Sequence, residues 1–180
     1  MGGKKANRKG AIITVHHSPV SRSRAMVSFG NVTVPAAIGR SGRTSRKREG
    51  DGATPIAEMQ VLYGFLRGDR LKGLGTALPM RRIAKSMVWC DEPRHPSYNR
   101  LVRAPFKPSH EEMSCKDGLY DICLVLDWNI RSRARYRGSA IFFHLIRPGY
   151  EPTAGCIAVS LKDMQRLLPH IRKGTRLRVL

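Results

Sequence analysis

The sequence predicts a mainly β domain of the α+β class, with one or two short helices. Glycine and proline are frequent, at 17 and 11 of 180 residues, as expected of a fold with many turns. Short runs of β-branched and aromatic residues recur along the chain, and residues 122–128 and 140–146 are the most apolar of them. We therefore expect a mixed-sheet sandwich or barrel-like domain in which these two runs are central strands.

The N-terminal third predicts strands joined by turns. Residues 11–15 are five apolar or β-branched residues and indicate a first strand. Residues 25–29 and 31–34 flank a Gly-Asn pair that is typical of tight hairpin turns. Residues 40–54 are rich in glycine and charge, lack periodicity and predict a loop, after which residues 59–66 predict a further strand.

The C-terminal half predicts one long loop, one helix and a last strand. Residues 90–118 are rich in proline, serine, histidine and charge, which favours a long excursion from the domain. Ser160 precedes apolar residues at helical spacing, and Asp163 completes a start signal similar to a capping box. Pro169 is expected to end this helix, and residues 175–180 alternate as a final strand.

The chain length fits a single domain with one core. We expect residues 1–10 to be a disordered basic tail and residues 11–180 to be one folded domain. The apolar run at 11–15 is shorter than the roughly 7–15 residues of a secretory signal core, and no run approaches the roughly 20 residues of a membrane helix. The expectation is a soluble cytoplasmic protein without membrane contact, or a periplasmic one if the start is truncated.

The net charge of the chain is strongly positive and would suit binding to anionic partners. Lysine and arginine number 33 against 13 acidic residues, which gives a formal net charge of +20 and a field that attracts anions whatever the fold. A basic nucleic-acid-binding module is therefore one class of function that the charge would fit. However, aromatic residues are only 7% of the chain and do not interleave with basic ones, and no helix-turn-helix, zinc-finger or RNA-recognition signature occurs. We expect no specific nucleic-acid partner.

Four cysteines are present, and none of their spacings is the C-x-x-C of zinc or redox sites. We therefore predict no metal site. Cys123 lies in an apolar run and is interpreted as a buried small hydrophobe. The sequence does not decide whether Cys90 and Cys115 form a disulfide.

The chemistry of the chain centres on one histidine and one cysteine. His144 lies within an apolar strand, and Cys156 follows twelve positions later, just after Gly155. A cysteine attacks as the thiolate, and histidine is the side chain that can remove its proton near neutral pH. Gly155 permits a sharp turn that leaves amides free to face an oxyanion. On spacing alone, a hydrogen-bonded structural histidine and a buried cysteine are the commoner interpretation.

The sequence around these two residues resembles that of the L,D-transpeptidase catalytic domain, the YkuD-like family of bacterial cell-wall enzymes. That family carries a histidine on a strand, then a loop, then Ser/Thr-x-Gly-Cys and an aliphatic residue. Here His144 is followed by Thr-Ala-Gly-Cys-Ile over residues 153–157. Residues 47–56, 98–100 and 119–121 are similar to supporting segments of the family, and the similarity extends over residues 11–180, so it implies the same β-sandwich.

The resemblance implies a cysteine peptidyltransferase or peptidase that acts on peptidoglycan stem peptides at the L,D bond after diaminopimelate. Cys156 would form a thioester, and His144 would serve as general base and then as acid. The backbone carbonyl of Leu145 would orient the His144 ring. The amides of Gly155 and Cys156 would form the oxyanion hole, with Thr153 at its rim.

Substrate binding is implied, through the same resemblance, for Thr153, Tyr98, Asn99 and Arg100. The sequence departs from the family at Ala154, where many members have histidine, and at Ala158, where many have arginine or asparagine. These departures leave nucleophile and base intact but affect the choice of acyl acceptor. The resemblance implies no cofactor, and the sequence predicts no oligomeric state.

Two acceptors are open at this point. An amine would resolve the thioester into a crosslink, whereas water would give L,D-carboxypeptidase activity. A cytoplasmic chain would meet soluble muropeptides from the wall, and trimming of tetrapeptides for muropeptide recycling would suit that location.

Overall fold

A computed structural model describes residues 12–180 of the chain. The basic tail expected over residues 1–10 and the first residue of the first expected strand lie outside the described residues.

Within residues 12–180 the chain forms strands, one α-helix and two 3-10 turns. The mainly β class with one or two short helices is confirmed. The 3-10 turns cover Pro148–Tyr150 and Leu168–His170, and the α-helix is Leu161–Leu167 (α1). The strands are Ile12–His17 (β1), Arg24–Phe29 (β2), Val32–Ala37 (β3), Arg43–Thr44 (β4), Thr54–Pro55 (β5), Glu58–Leu66 (β6), Met80–Arg82 (β7), Met87–Cys90 (β8), Arg100–Arg103 (β9), His110–Glu112 (β10), Ile122–Leu126 (β11), Phe142–Leu145 (β12), Ile157–Val159 (β13) and Arg176–Val179 (β14).

The main sheet closes on itself. Its strands run in the order β11-β12-β13-β3-β2-β1-β14-β6-β7, and β6 also pairs with β11. Most pairs are antiparallel, but β1 with β14, β6 with β7 and β12 with β13 are parallel. The expected hairpin is confirmed, because Phe29 pairs with Val32 across Gly30, whose φ of 58° suits the tight turn.

Two apolar clusters cover the two faces of this ring. Every strand of the ring adds a residue to the first cluster, which therefore fills the interior and includes Met164 of α1. The second cluster lies on the outer face of β6, β11 and β12. Along β12, Phe143 belongs to the interior and Phe142 to the outer cluster. Burial on both faces explains why β11 and β12 are apolar without alternation, as predicted for central strands.

The helix begins where the sequence predicted. The hydroxyl of Ser160 accepts from the Asp163 amide at 3.1 Å and donates to the Asp163 carboxylate at 2.7 Å. A 3-10 turn containing Pro169 follows the helix directly. This short helix packs on β3 and β12 and closes over the interior cluster.

The prediction of a long loop over residues 90–118 was wrong. The strands β8, β9 and β10 form a separate three-stranded sheet in the order β10-β8-β9. Trp89 of this small sheet packs edge-to-face on Phe142, with ring centroids 5.1 Å apart. The prolines of this segment lie in the turns between the strands, which is why the segment looked irregular. The small sheet therefore covers the outer face of β12.

All four cysteines are free thiols, so the Cys90–Cys115 disulfide does not form. Among the described helices, none is long and apolar enough to cross a lipid bilayer.

Candidate active site

His144 lies on the outer face of β12, two residues after Phe142. Its ring nitrogen Nδ1 is 2.7 Å from the carbonyl oxygen of Leu145, the contact expected from the sequence. Because a carbonyl can only accept, Nδ1 carries the hydrogen and Nε2 is left as the lone-pair nitrogen. The ring of Tyr120 packs against His144 edge-to-face, with centroids 5.3 Å apart. These contacts fix both the tautomer and the plane of the imidazole.

Cys156 immediately precedes β13, the parallel neighbour of β12. Phe143 pairs with Ile157, and His144 pairs with Ala158, so the cysteine lies beside the start of the histidine strand. Thr153 closes the preceding loop, since its hydroxyl donates to the Cys156 carbonyl at 2.7 Å and accepts from the Gly155 amide at 3.1 Å. The strand pairing and the loop together set the position of the sulfur.

Gly155 adopts a backbone conformation that few residues other than glycine tolerate, with φ of 143°. A Cβ atom at this position would lie only 2.9 Å from the carbonyl oxygen of Ala53. The sequence interpretation assigned its amide to an oxyanion hole together with that of Cys156. In the structure the Gly155 amide already donates to Thr153, whereas the Cys156 amide makes no hydrogen bond within residues 12–180.

The thiol of Cys156 is held by backbone groups. It donates to the Ala140 carbonyl at 3.1 Å, and the sulfur accepts from the Phe142 amide at 3.4 Å. Within the described residues, no hydrogen bond joins the sulfur to His144. A rotation of the thiol is therefore needed before the imidazole can take its proton.

His144 and Cys156 both line one cavity of about 260 Å³. Both are nearly buried, at 4% and 6% exposure, so the cavity is their access to solvent. The remaining lining residues come from loops around the site and from the small sheet: Arg40, Glu111, Leu119, Tyr120, Ile146, Arg147, Glu151, Pro152, Thr153, Ala154 and Ala158.

Burial keeps both reacting groups neutral at pH 7. It lowers the pKa of His144 to about 4, although the hydrogen bond to the Leu145 carbonyl opposes the change. Burial also raises the pKa of the Cys156 thiol well above its ordinary value, aided by the nearby carboxylate of Glu111. The Phe142 amide acts in the opposite direction. The resting site is thus a neutral thiol beside a neutral imidazole that is free to act as a base.

Of the four residues expected to bind substrate, Thr153 lines the cavity, whereas Tyr98, Asn99 and Arg100 do not. Tyr98 is buried and its hydroxyl donates to the carboxylate of Glu49. Asn99 is also buried, and Arg100 lies exposed on β9. Tyr98 and Asn99 thus pack inside the protein and Arg100 faces solvent, and substrate contact by these residues stays a prediction.

Asn99 supports the site from behind. Its Oδ1 accepts from the Trp89 indole at 3.0 Å and from the Ala140 amide at 3.1 Å. Its Nδ2 donates to the Trp128 carbonyl at 3.2 Å. Because the Ala140 carbonyl in turn accepts the Cys156 thiol, Asn99 fixes the backbone that holds the nucleophile.

Sequence reasoning missed three residues of the site. Glu111 and Tyr120 line the cavity, and the Tyr120 hydroxyl donates to the Glu111 carboxylate. Lys47 is buried behind the nucleophile loop, with its Nζ atom 2.5 Å from Asp51. A Cβ atom at Gly155 would lie 3.4 Å from that nitrogen. No spacing in the sequence links these residues to Cys156, since each arrives from a different loop or strand.

The comparison with known families decides the class. The model of the L,D-transpeptidase catalytic domain (YkuD) matches residues 12–179. The chain belongs to this family. The resemblance to L,D-transpeptidases found in the sequence is thereby confirmed for nearly the whole chain. Within the described residues, no group of three or more His, Cys, Asp or Glu side chains is arranged to hold a metal ion.

Known structures include a distant match to this L,D-transpeptidase domain. This chain is similar to L,D-transpeptidase 1 of Mycobacterium tuberculosis, with 13% sequence identity and a TM-score of 0.42. The match covers 94% of this chain and 62% of the other, so this chain spans less than two thirds of that one. No curated protein matches the chain.

Proposed function

We propose that the protein transfers or releases peptides from peptidoglycan stem peptides at the L,D bond after diaminopimelate, by way of a thioester on Cys156. The observation that carries this proposal is the placement of Cys156 and His144 in one cavity, with the lone pair of Nε2 unused. Membership in the L,D-transpeptidase family supports the substrate class.

The first step begins from the neutral pair. The thiol leaves the Ala140 carbonyl and gives its proton to Nε2 of His144, and the sulfur attacks the peptide carbonyl. The Leu145 carbonyl stabilises the charged imidazole, because it already accepts from Nδ1. His144 then returns the proton to the departing amine of the terminal D-residue. A thioester and a neutral histidine remain.

The oxyanion of this step is expected to bind first at the Cys156 amide, which makes no hydrogen bond within the described part of the chain. The Gly155 amide joins it only if its bond to Thr153 is released or shared. Preorganised donors of this kind contribute strongly to acyl transfer, with each worth about 10²–10³ in rate.

The thioester has two fates. An amine acceptor gives a crosslinked peptide, and water gives the shortened stem peptide of an L,D-carboxypeptidase. Ala154 and Ala158 line the cavity with small apolar side chains, at positions where many members of the family carry polar ones. These two positions therefore contribute no polar group to the choice between the two acceptors.

A product analysis tests the proposal. Purified protein is incubated with a disaccharide-tetrapeptide, and the products are measured by mass spectrometry. Crosslinked dimers indicate transfer, and tripeptide without dimers indicates hydrolysis. We expect Cys156→Ala to lose both products while its circular dichroism stays unchanged.

Cys115→Ala is the matched control, since this half-buried cysteine does not line the cavity. It should form products at the rate of the natural protein. If the natural protein and Cys156→Ala give the same traces without products, the proposal is refuted.

A further inference from the structure

Glu111 reaches the active-site cavity from the small sheet rather than from the ring. It lies on β10 directly opposite Trp89 of β8. Residues paired in this way project from the same face of a sheet, and Trp89 packs on Phe142 of β12. Glu111 is therefore directed toward β12, where it lines the cavity together with His144 and Cys156.

The carboxyl of Glu111 has one hydrogen-bond donor and no cationic partner. The Tyr120 hydroxyl donates to Oε2, and the Tyr120 ring in turn packs on His144. Among the ion pairs of residues 12–180, none includes Glu111. Burial raises its pKa to about 7, against the hydrogen bond from Tyr120, with Asp91 and Glu49 as further negative neighbours. The group thus gains and loses a proton near neutral pH.

The charge of Glu111 does not assist the attack by Cys156. A carboxylate in this cavity disfavours the thiolate and raises the pKa of the thiol. Once the sulfur carries an acyl group it has no charge, and this cost disappears. The carboxylate then faces a neutral thioester and attracts a cation entering the cavity. The geometry suits the second half of the reaction rather than the first.

We propose that Glu111 binds the ammonium group of an amine acceptor and takes its first proton, so that the thioester is resolved by transfer to a primary amine. This inference rests on the proposed thioester chemistry. The Glu111 carboxylate receives one proton from the ammonium, which becomes a neutral amine. The amine nitrogen attacks the thioester carbonyl and forms the C–N bond. His144 receives the second proton and passes it to the sulfur as the C–S bond breaks, and Glu111 later releases its proton to water.

The test separates acylation from its resolution. The acyl-enzyme is formed with a disaccharide-tetrapeptide, and its decay is followed by mass spectrometry with glycine as the amine or with water alone. We expect Glu111→Gln to be acylated within about threefold of the natural rate. Its ratio of aminolysis to hydrolysis should fall by about 10–100-fold, the usual size of a general-base contribution.

Glu112→Gln is the matched control, because Glu112 is the exposed neighbour on the same strand. It should keep both the acylation rate and the partition ratio. Hydroxylamine is largely uncharged at pH 8 and needs no removal of a first proton. Aminolysis of the Glu111→Gln acyl-enzyme by hydroxylamine should therefore equal that of the natural protein, which a general structural defect would not allow.

Several outcomes overturn the inference. An unchanged partition ratio in Glu111→Gln, or an equal loss of acylation and aminolysis, shows that Glu111 does not act on the acceptor. If the natural acyl-enzyme is only hydrolysed with glycine present, the inference fails while the thioester chemistry stands. If no acyl-enzyme forms at all, both fail. Should Glu111→Gln not fold, Tyr120→Phe serves instead, and it must lower the same ratio without affecting the hydroxylamine reaction.

Discussion

The side chain of Asn99 holds the backbone of Ala140, with 3.1 Å between Oδ1 and the Ala140 amide nitrogen. The carbonyl of the same residue accepts the Cys156 thiol at 3.1 Å. Asn99 and Ala140 both have positive φ, of 56° and 50°. Two unusual backbone positions are thus joined directly behind the nucleophile, and the amide side chain satisfies three partners at once.

The first prediction concerns Asn99→Gly, which keeps the positive φ and removes only the side-chain hydrogen bonds. Trp89, Trp128 and Ala140 each lose a bond, so the free energy of unfolding should fall by about 2–4 kcal/mol. The acylation rate should fall by about tenfold, because Ala140 and therefore the thiol become less well placed. Urea unfolding and acyl-enzyme formation measure the two effects. Asn31→Gly, in the exposed hairpin turn, should change neither, and an equally inert Asn99→Gly would contradict this role.

The second prediction concerns the acid side of the acylation rate. His144 acts as base only when neutral, and its pKa of about 4 keeps it neutral down to that pH. Acylation should therefore stay nearly constant as the pH falls from 8 through 6.5, and decline only as it approaches about 4. Measurement in the Glu111→Gln variant removes the second titrating group of the cavity. Half-loss of the rate near pH 6.5, the ordinary value for histidine, would show that the imidazole is not buried in this way.

The third prediction concerns Gly155→Ala. The added Cβ atom would lie 2.9 Å from the Ala53 carbonyl, at a φ of 143° that L-residues rarely adopt. The loop must shift, and we expect acylation to fall by at least about 100-fold, as the loss of one oxyanion donor does in other acyl transfers. Gly174→Ala has a positive φ but no atom near its Cβ, so it tests the backbone strain alone. It should lower stability by about 1 kcal/mol and leave the acylation rate unchanged.

The fourth prediction concerns stability and pH at Glu111. Its pKa of about 7 in the folded chain lies above the ordinary 4.5, so the folded state holds the proton more tightly than the unfolded state between these values. The stability that this proton gives is present below about pH 4.5 and is lost as the pH rises through 7. Glu111→Gln should therefore match the natural protein at pH 4.5 and exceed it by about 3 kcal/mol at pH 8. Thermal unfolding across this pH range measures the difference in stability. The control Glu112→Gln should not differ from the natural protein in this pH-dependent way.

Much of the ring could be predicted from the sequence, because its elements are defined by local patterns. The Gly-Asn turn, the apolar runs at β11 and β12, and the start of α1 at Ser160 each follow from a few neighbouring residues. The small sheet could not be predicted in the same way. Its strands are three or four residues long, and their order depends on pairing across long turns.

The candidate site shows the same division. His144 and Cys156 were found from a motif and its spacing. Glu111 was not found, because only the pairing of β10 with β8 directs it toward the cavity. The bond from the Ala140 amide to Asn99 was not predicted either, since a sequence does not reveal whether a polar side chain faces a ligand or the backbone of its own chain.

The attachment of the small sheet has a consequence for how such proteins can diversify. His144 and Cys156, the proposed base and nucleophile, belong to the closed ring and its loops, whereas Glu111 lies on a strand outside it. Substitutions in the small sheet can change this side of the cavity without disturbing the parallel strands β12 and β13, which position His144 and Cys156. Under the proposed mechanism, the residue that binds the acyl acceptor can therefore change during evolution while the residues that form the thioester stay the same.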